Sequence, residues 1–224
     1  MDSIIEVVRC FENSNIIHVD GVINPTNDIE IIELELIYAD LETVMKRRER
    51  VKKQLKADKS LVKEDLVLEK IEKALNEGKS ARSLELTEEE KDIIKSLSLL
   101  TLKPLMYVAN VDEETIQNPE SNENFKKVKQ YAESQNAKVI PICVKLEEEI
   151  SSIESEDERK EFLEMMGLDK SGLDKLIIAS YDILGLMSYL TVRRNRSKSM
   201  DDKKRYKSTK SGIKDTFRYR KRVY

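Results

Sequence analysis

Two short apolar runs with a helical segment between them constrain this chain most. Residues 104–110 (PLMYVAN) and 137–142 (AKVIPI) have strand length and are bounded by turn residues, whereas residues 123–135 between them repeat apolar side chains at helical spacing. Strand, helix and strand in that order read as a parallel βαβ unit, since parallel neighbours need a crossover to bring the chain back to the same end of the sheet. Residues 4–9 (IIEVVR) add a β-rich strand close to the start. The fold class expected is therefore α/β. Ligands on such sheets sit beyond the carboxyl ends of the strands, which points to the loops after Asn110 and after Ile142.

Between the first strand and the βαβ unit lies a long helical insertion. Ile16-Ile17-His18-Val19 reads as a second extended piece, with Asp20-Gly21 and Asn24-Pro25 as turns. From Asp28 to about Lys56 apolar residues recur three and four apart (Ile29, Ile32, Leu36, Leu41, Val44, Met45), with Asn27 or Asp28 as the expected N-cap. The second half of this helix, residues 46–56, is densely charged, as befits a helix that leaves the core. Residues 61–75 form a second helix closed by Asn76-Glu77-Gly78, and the two make an antiparallel hairpin. Thr87 and Glu90 fit a capping box that starts a helix through about Leu97. Residues 145–151, 158–165 and 173–186 read as helices, with Gly167 and Gly185 as stops. The expected division is residues 1–27 as strand and loop, 28–100 as hairpin and connecting helix, 101–191 as the second α/β part, and 192–224 as a disordered basic tail.

Composition narrows the chemistry. Cys10 and Cys143 are far apart and His18 is the one histidine, so neither a disulfide framework nor a zinc site is readable, and a reducing, cytoplasmic setting is expected. No apolar run approaches a membrane span, and no membrane partner is expected. Aromatic residues are 5% and Trp is absent, which argues against platforms that stack single-stranded bases. A phosphate-binding GxxxxGK[ST] loop is missing; Lys79-Ser80 after Gly78 lacks the first Gly and the preceding strand. On its own residues the chain is expected not to hydrolyse a nucleoside triphosphate. The net charge of −3 conceals +11 in residues 192–224 against −14 in residues 1–191. A tail so basic could bind RNA phosphates by counterion release.

Asn110-Val111-Asp112-Glu113 follows directly on an apolar strand. An amide at a strand end can brace neighbouring loops, and a carboxylate shortly after it can accept hydrogen bonds from a nucleobase edge; the same pattern also describes a solvated turn. Cys143 and Val144 occupy the equivalent loop after the next strand, where a buried inert thiol is the plainer alternative. The runs Glu88–Glu90 and Glu147–Glu149 read as solvated helix faces without a catalytic part.

Several separate blocks in order resemble the Obg-like ATPases of the YchF type, within the translation-factor-related P-loop GTPases. These are Val7 to Phe11, Asn15 to Val19, Asp28 to Glu42, Ala81 to Leu84, Tyr107 to Val111 and Gly172 to Ile177, so that the resemblance covers about residues 3–191. It implies a G domain with an inserted coiled-coil hairpin and a following TGS domain, ATP with Mg²⁺ as ligand, and the ribosome as partner. The family reads its base with NxxE, which Asn110 and Glu113 match; Val111 would add a main-chain contact, and Cys143 and Val144 would form the last base-contacting loop, with Cys where Ser is common. The family's phosphate-binding loop, first switch and DxxG segment would lie upstream of the strand that here begins near Ser3. The chain is thus expected to be a piece of such an ATPase. The other reading is a non-enzymatic module that docks on ribosomal RNA or protein through the hairpin and the tail.

A shift of one base offers another origin for the tail. Codons permitted for residues 196–223, read one base later, allow EVKAWTIKKGTKAPKAA, one position restricted to Leu, Ser or stop, and KIHSDIEKGF; the ATG of Met200 followed by the G of Asp201 forces Trp. That string resembles the opening of the family's TGS domain, with one departure at Ile213, where the usual Gly cannot be encoded.

Overall fold

The computed structural model of the chain describes residues 2–12, 23–56, 58–193 and 196–203, with side chains as far as Met187. Strands β1 (Ile4–Arg9), β2 (Leu105–Asn110) and β3 (Lys138–Ile142) form a parallel sheet in the order β1-β2-β3. The central strand β2 is buried from Leu105 to Ala109, which is why it reads as an unbroken apolar run and not as an alternation.

Helix α4 (Glu123–Ser134) makes the crossover. Its N-cap Asn122 accepts from the Phe125 amide at 3.0 Å and donates through Nδ2 to the Cys10 carbonyl at 2.9 Å, tying the helix to the end of β1. Val8, Tyr107 and Ala109 of the sheet pack with Phe125, Val128 and Ala132 of α4 and with Ile29 of the first long helix to form one hydrophobic core. On the opposite pleat face, Ile142 meets Gly172 of α7 (Gly172–Ile183), and Lys138 pairs with Asp182 further along that helix. Ile5 and Val7 of β1 stay uncovered, Val7 at 63% exposure.

The insertion is a pair of helices, α1 (Pro25–Gln54) and α2 (Val62–Asn76). At ~1.5 Å per residue α1 is about 45 Å long. Ile37, Val44 and Val51 of α1 pack with Val67, Leu68, Ile71 and Leu75 of α2 in a second core, which contains no residue of the first. Along the outer seam Arg47 pairs with Glu64 at 2.6 Å, and Arg48 reaches Asp65, Glu69 and Glu72 at 3.2, 2.5 and 2.8 Å. Gly78, at φ +73°, ends α2 in the left-handed conformation that glycine adopts without a Cβ clash. Thr87 and Glu90 form both bonds of the expected capping box at the start of α3 (Glu88–Ile94).

The hairpin is rooted by buried polar groups. Asp40 accepts from the amides of Leu100 and Thr101 at 2.8 and 2.7 Å and from the Thr101 hydroxyl at 2.6 Å; that hydroxyl in turn accepts from the Ala81 amide. Where hairpin meets sheet, Glu33 accepts from the Arg82 guanidinium at 3.1 Å and from the Tyr131 hydroxyl at 2.9 Å, and Tyr131 stands edge-on to Tyr107. Oε2 of Glu6, the Tyr107 hydroxyl and Nε of Arg82 are buried there without a hydrogen-bond partner among the described residues. Burial, then the charges of Glu33 and Asp28, push the Glu6 carboxyl up to about 7, against the opposing pull of Arg82.

Four features differ from the sequence reading. The first long helix starts at Pro25, three residues before Asp28, because proline with its fixed φ and missing N–H suits the first helical position; Asn24 occupies the cap without a side-chain bond. Helix α3 ends at Ile94 and a single 3-10 turn, Lys95–Leu97, completes it. Helix α7 ends at Ile183, because Gly185 at φ +62° turns the chain, and Leu186 belongs to a strand. That strand, β4 (Leu186–Arg193), pairs antiparallel with β5 (Arg196–Lys203), so the part of the expected disordered tail within these two strands is extended and paired. The β-branched and aromatic residues of β4 favour extended chain, and a partner strand needs only a free backbone, whatever its charge. Helices α5 (Val144–Ser152) and α6 (Glu156–Met165) lie close to their expected places. The extended piece at Ile16 to Val19, the turn at Asp20-Gly21 and residues 204–224 lie outside the described residues.

Candidate nucleotide-base site

The parallel register places Asn110 beside Ile142, so the loops that follow β2 and β3 emerge side by side. The Val111 amide donates to the Ile142 carbonyl at 2.9 Å and carries the ladder one residue past the strand. Asn110 then bridges the loops through its side chain: Oδ1 accepts from the Val144 amide at 3.2 Å. That bond satisfies one of the amides that a helix start leaves without an intrahelical partner, here at α5.

Val111 is buried against the sheet. Asp112 folds back on its own loop, accepting from the Thr115 amide at 2.8 Å and from the Thr115 hydroxyl at 2.5 Å. Glu113 projects outward and meets Lys145 of α5 at 2.6 Å, with its side chain 37% exposed. The Oε1 that makes this pair is shielded from water although the Lys145 side chain is 70% exposed, so the pair is half-buried. Cys143 is buried, and burial above all raises its thiol pKa, aided by the charges of Glu113 and Asp112, so the thiol stays protonated. Cys10 is also buried, its thiol pushed up to about 12. Val144 presents an apolar side chain to solvent at 49% exposure.

Of the five residues marked by the sequence, four therefore line the adjoining loop ends, Asn110 with Val144 by a hydrogen bond and Glu113 with Cys143 through the field between them. Val111 differs: its side chain faces the core and its N–H is taken by the Ile142 carbonyl. Two residues were not legible. Lys145 neutralises Glu113, and Glu147 accepts from the amides of Gly172 and Leu173 at 2.6 and 3.0 Å, capping α7. Glu147 looked like part of a solvated acidic run because its partner lies 25 residues away and leaves no local signal.

The arrangement offers a carboxylate acceptor, a fixed amide and an exposed apolar side chain at the carboxyl end of a parallel sheet. That suits the edge and face of an amino-bearing heterocycle. Among the described residues no group of three or more His, Cys, Asp or Glu side chains is placed to hold a metal ion. No described helix is long and apolar enough to cross a membrane.

An open three-stranded parallel sheet with a helical hairpin inserted between its first two strands defines the class of protein as α/β. No family model matches the chain. It is 47% identical over 209 residues to the ribosome-binding ATPase YchF of Bacillus subtilis, a match that takes in 93% of this chain and 57% of that protein. The YchF of Escherichia coli O157:H7 is 44% identical over 191 residues, 85% of this chain and 52% of the relative. The solved structure of the Schizosaccharomyces pombe YchF GTPase superposes with a TM-score of 0.77 at 32% identity, covering 91% of this chain and 55% of that one. The chain is a homologue of the YchF-type ribosome-binding ATPases and spans about half the length of the relatives it matches.

Proposed function

We propose that the described sheet is the second part of a G domain and that the chain binds an adenine nucleotide through its base and associates with the ribosome, without hydrolysing the nucleotide. The observation that carries this reading is the Asn110–Val144 hydrogen bond, which braces the two strand-end loops with Glu113 turned out beside them. Glu113 accepts from the exocyclic amine of adenine, a donor, and repels the guanine carbonyl at the equivalent position, an acceptor. Asn110 keeps the loop of Cys143 and Val144 against the base, and Val111 contributes a main-chain contact. The 224 residues contain no GxxxxGK[ST] loop, and positioning and charge stabilisation at the phosphates are nearly all of phosphoryl-transfer catalysis. Base contacts alone support an affinity on the order of millimolar. On the same reading, residues 192–224 are an out-of-frame TGS opening, which the nucleotide sequence of the locus decides.

The test is titration of the full chain with ATP and GTP, followed by heteronuclear NMR. The expected result is a preference for ATP that Glu113→Gln reduces by about tenfold, equivalent to about 1.4 kcal/mol, and no phosphate release above the no-protein control. An unchanged ATP to GTP ratio in the variant would remove the base-reading role, and steady Mg²⁺-dependent turnover would overturn the absence of hydrolysis.

A further inference from the structure

We propose that the far end of the helical hairpin is a docking surface for RNA phosphates, and that it sets an end-on orientation of the chain against a ribosomal surface. The inference rests on the ribosome association proposed above and assigns it to particular residues. Residues 46–56 hold seven Lys and Arg against one acid, Glu49. The structure divides these cations. Lys46 is held by Glu42, Arg47 by Glu64, and Arg48 by Asp65, Glu69 and Glu72. The two arginines belong to the hairpin's own seam, and Lys46 to an exposed pair within α1. Arg50, Lys52, Lys53 and Lys56, with Lys59 just past the turn, are exposed and make no ion pair among the described residues. Lys52, Lys53 and Lys56 line one shallow depression with Glu49.

Placement makes this cluster more than a solvated helix end. Ile29, on the first turns of α1, is the residue of that helix that enters the sheet's core, so Lys52 lies about 35 Å further along the helix at ~1.5 Å per residue. The remainder of residues 1–191 is acidic enough to leave that segment at −14 despite the basic tip. Within residues 1–191 a polyanion repels the body and attracts the tip, so the field turns the hairpin toward the phosphates, while the +11 of residues 192–224 adds a second attracted pole. The partner that this charge separation fits is an RNA backbone, read by charge and not by sequence, since no aromatic side chain stands among these cations.

The experiment measures binding of the full chain to purified ribosomal subunits and to a 20-base-pair RNA duplex between 50 and 200 mM salt. The parent is compared with Lys52→Gln/Lys53→Gln/Lys56→Gln and with a control neutralising three exposed lysines elsewhere, Lys73, Lys95 and Lys127. The tail is the same in all three chains. Loss of three phosphate contacts should make the affinity ratio between the two salt concentrations about 20–40-fold smaller in the tip variant, with the control like the parent. Glu49→Lys should steepen the dependence. A tip variant that behaves as the parent overturns the inference while association stands. Dependence on the tip for subunits but not for duplex assigns the surface to an acidic ribosomal protein and overturns the RNA assignment. Binding of the parent to neither probe removes the association reading itself.

Discussion

Replacing Glu6 by Gln should stabilise the chain at pH 8 and leave it nearly unchanged at pH 5. Glu6 lies opposite Tyr107 in the register of β1 and β2, its Oε2 buried without a partner among the described residues, with Glu33 and Asp28 adding negative field and Arg82 opposing it. Its carboxyl is pushed from an ordinary 4.5 to about 7. A carboxyl with a raised value binds its proton more tightly in the folded chain than in the unfolded one. Stability from this group is therefore complete below pH 4.5, falls as pH rises toward 7, and stays low above that. The interval corresponds to about 3 kcal/mol, and because the side chain is only partly buried, screening by water reduces this to about 1–2 kcal/mol. Urea unfolding of parent and variant at both pH values isolates the effect, since exposed carboxylates such as Glu42 and Glu123, whose values their lysine partners lower, contribute equally to both chains. The expected difference is about 1–2 kcal/mol in favour of the variant at pH 8. A variant less stable than the parent at pH 8 would show that the ionised carboxylate is a working partner of Arg82, and would refute the argument.

Two further substitutions test how the hairpin and the site are held. Asp40→Ala strands the amides of Leu100 and Thr101 and the Thr101 hydroxyl in a buried place, and should cost about 3 kcal/mol by chemical denaturation. Gly172→Ala would set a Cβ 2.9 Å from both Oε1 of Glu147 and Cγ2 of Ile142; about 1–3 kcal/mol of destabilisation is expected, read as a lower melting temperature.

The parts of this fold that were legible are those whose causes are local. The apolar run of β2 marks a strand buried on both faces, Gly78 a helix end, and Thr87 with Glu90 a helix start, and each forms where its residues indicate. Asn110 and Glu113 were singled out through the resemblance to an NxxE motif, since an amide and an acid after a strand describe a solvated turn equally well. What could not be read depends on partners distant in sequence. Asp40 looks like one more acid on a charged helix until Thr101, 61 residues on, closes over it, and Glu147 acquires its role only when α7 arrives. The hairpin of β4 and β5 was hidden for another reason: the change of composition near Thr191 suggested an end to structure, while backbone pairing is indifferent to that change.

The clamp made by Asp40, Thr101 and Ala81 closes the insertion at its base, and everything beyond it packs in a core of its own. The sheet therefore sees the hairpin only through its root. Turns of helix could be added or removed distal to Asp40 without moving a single strand, so the reach of the arm and the chemistry of the strand ends are free to vary independently, as a handle may be lengthened without altering the blade.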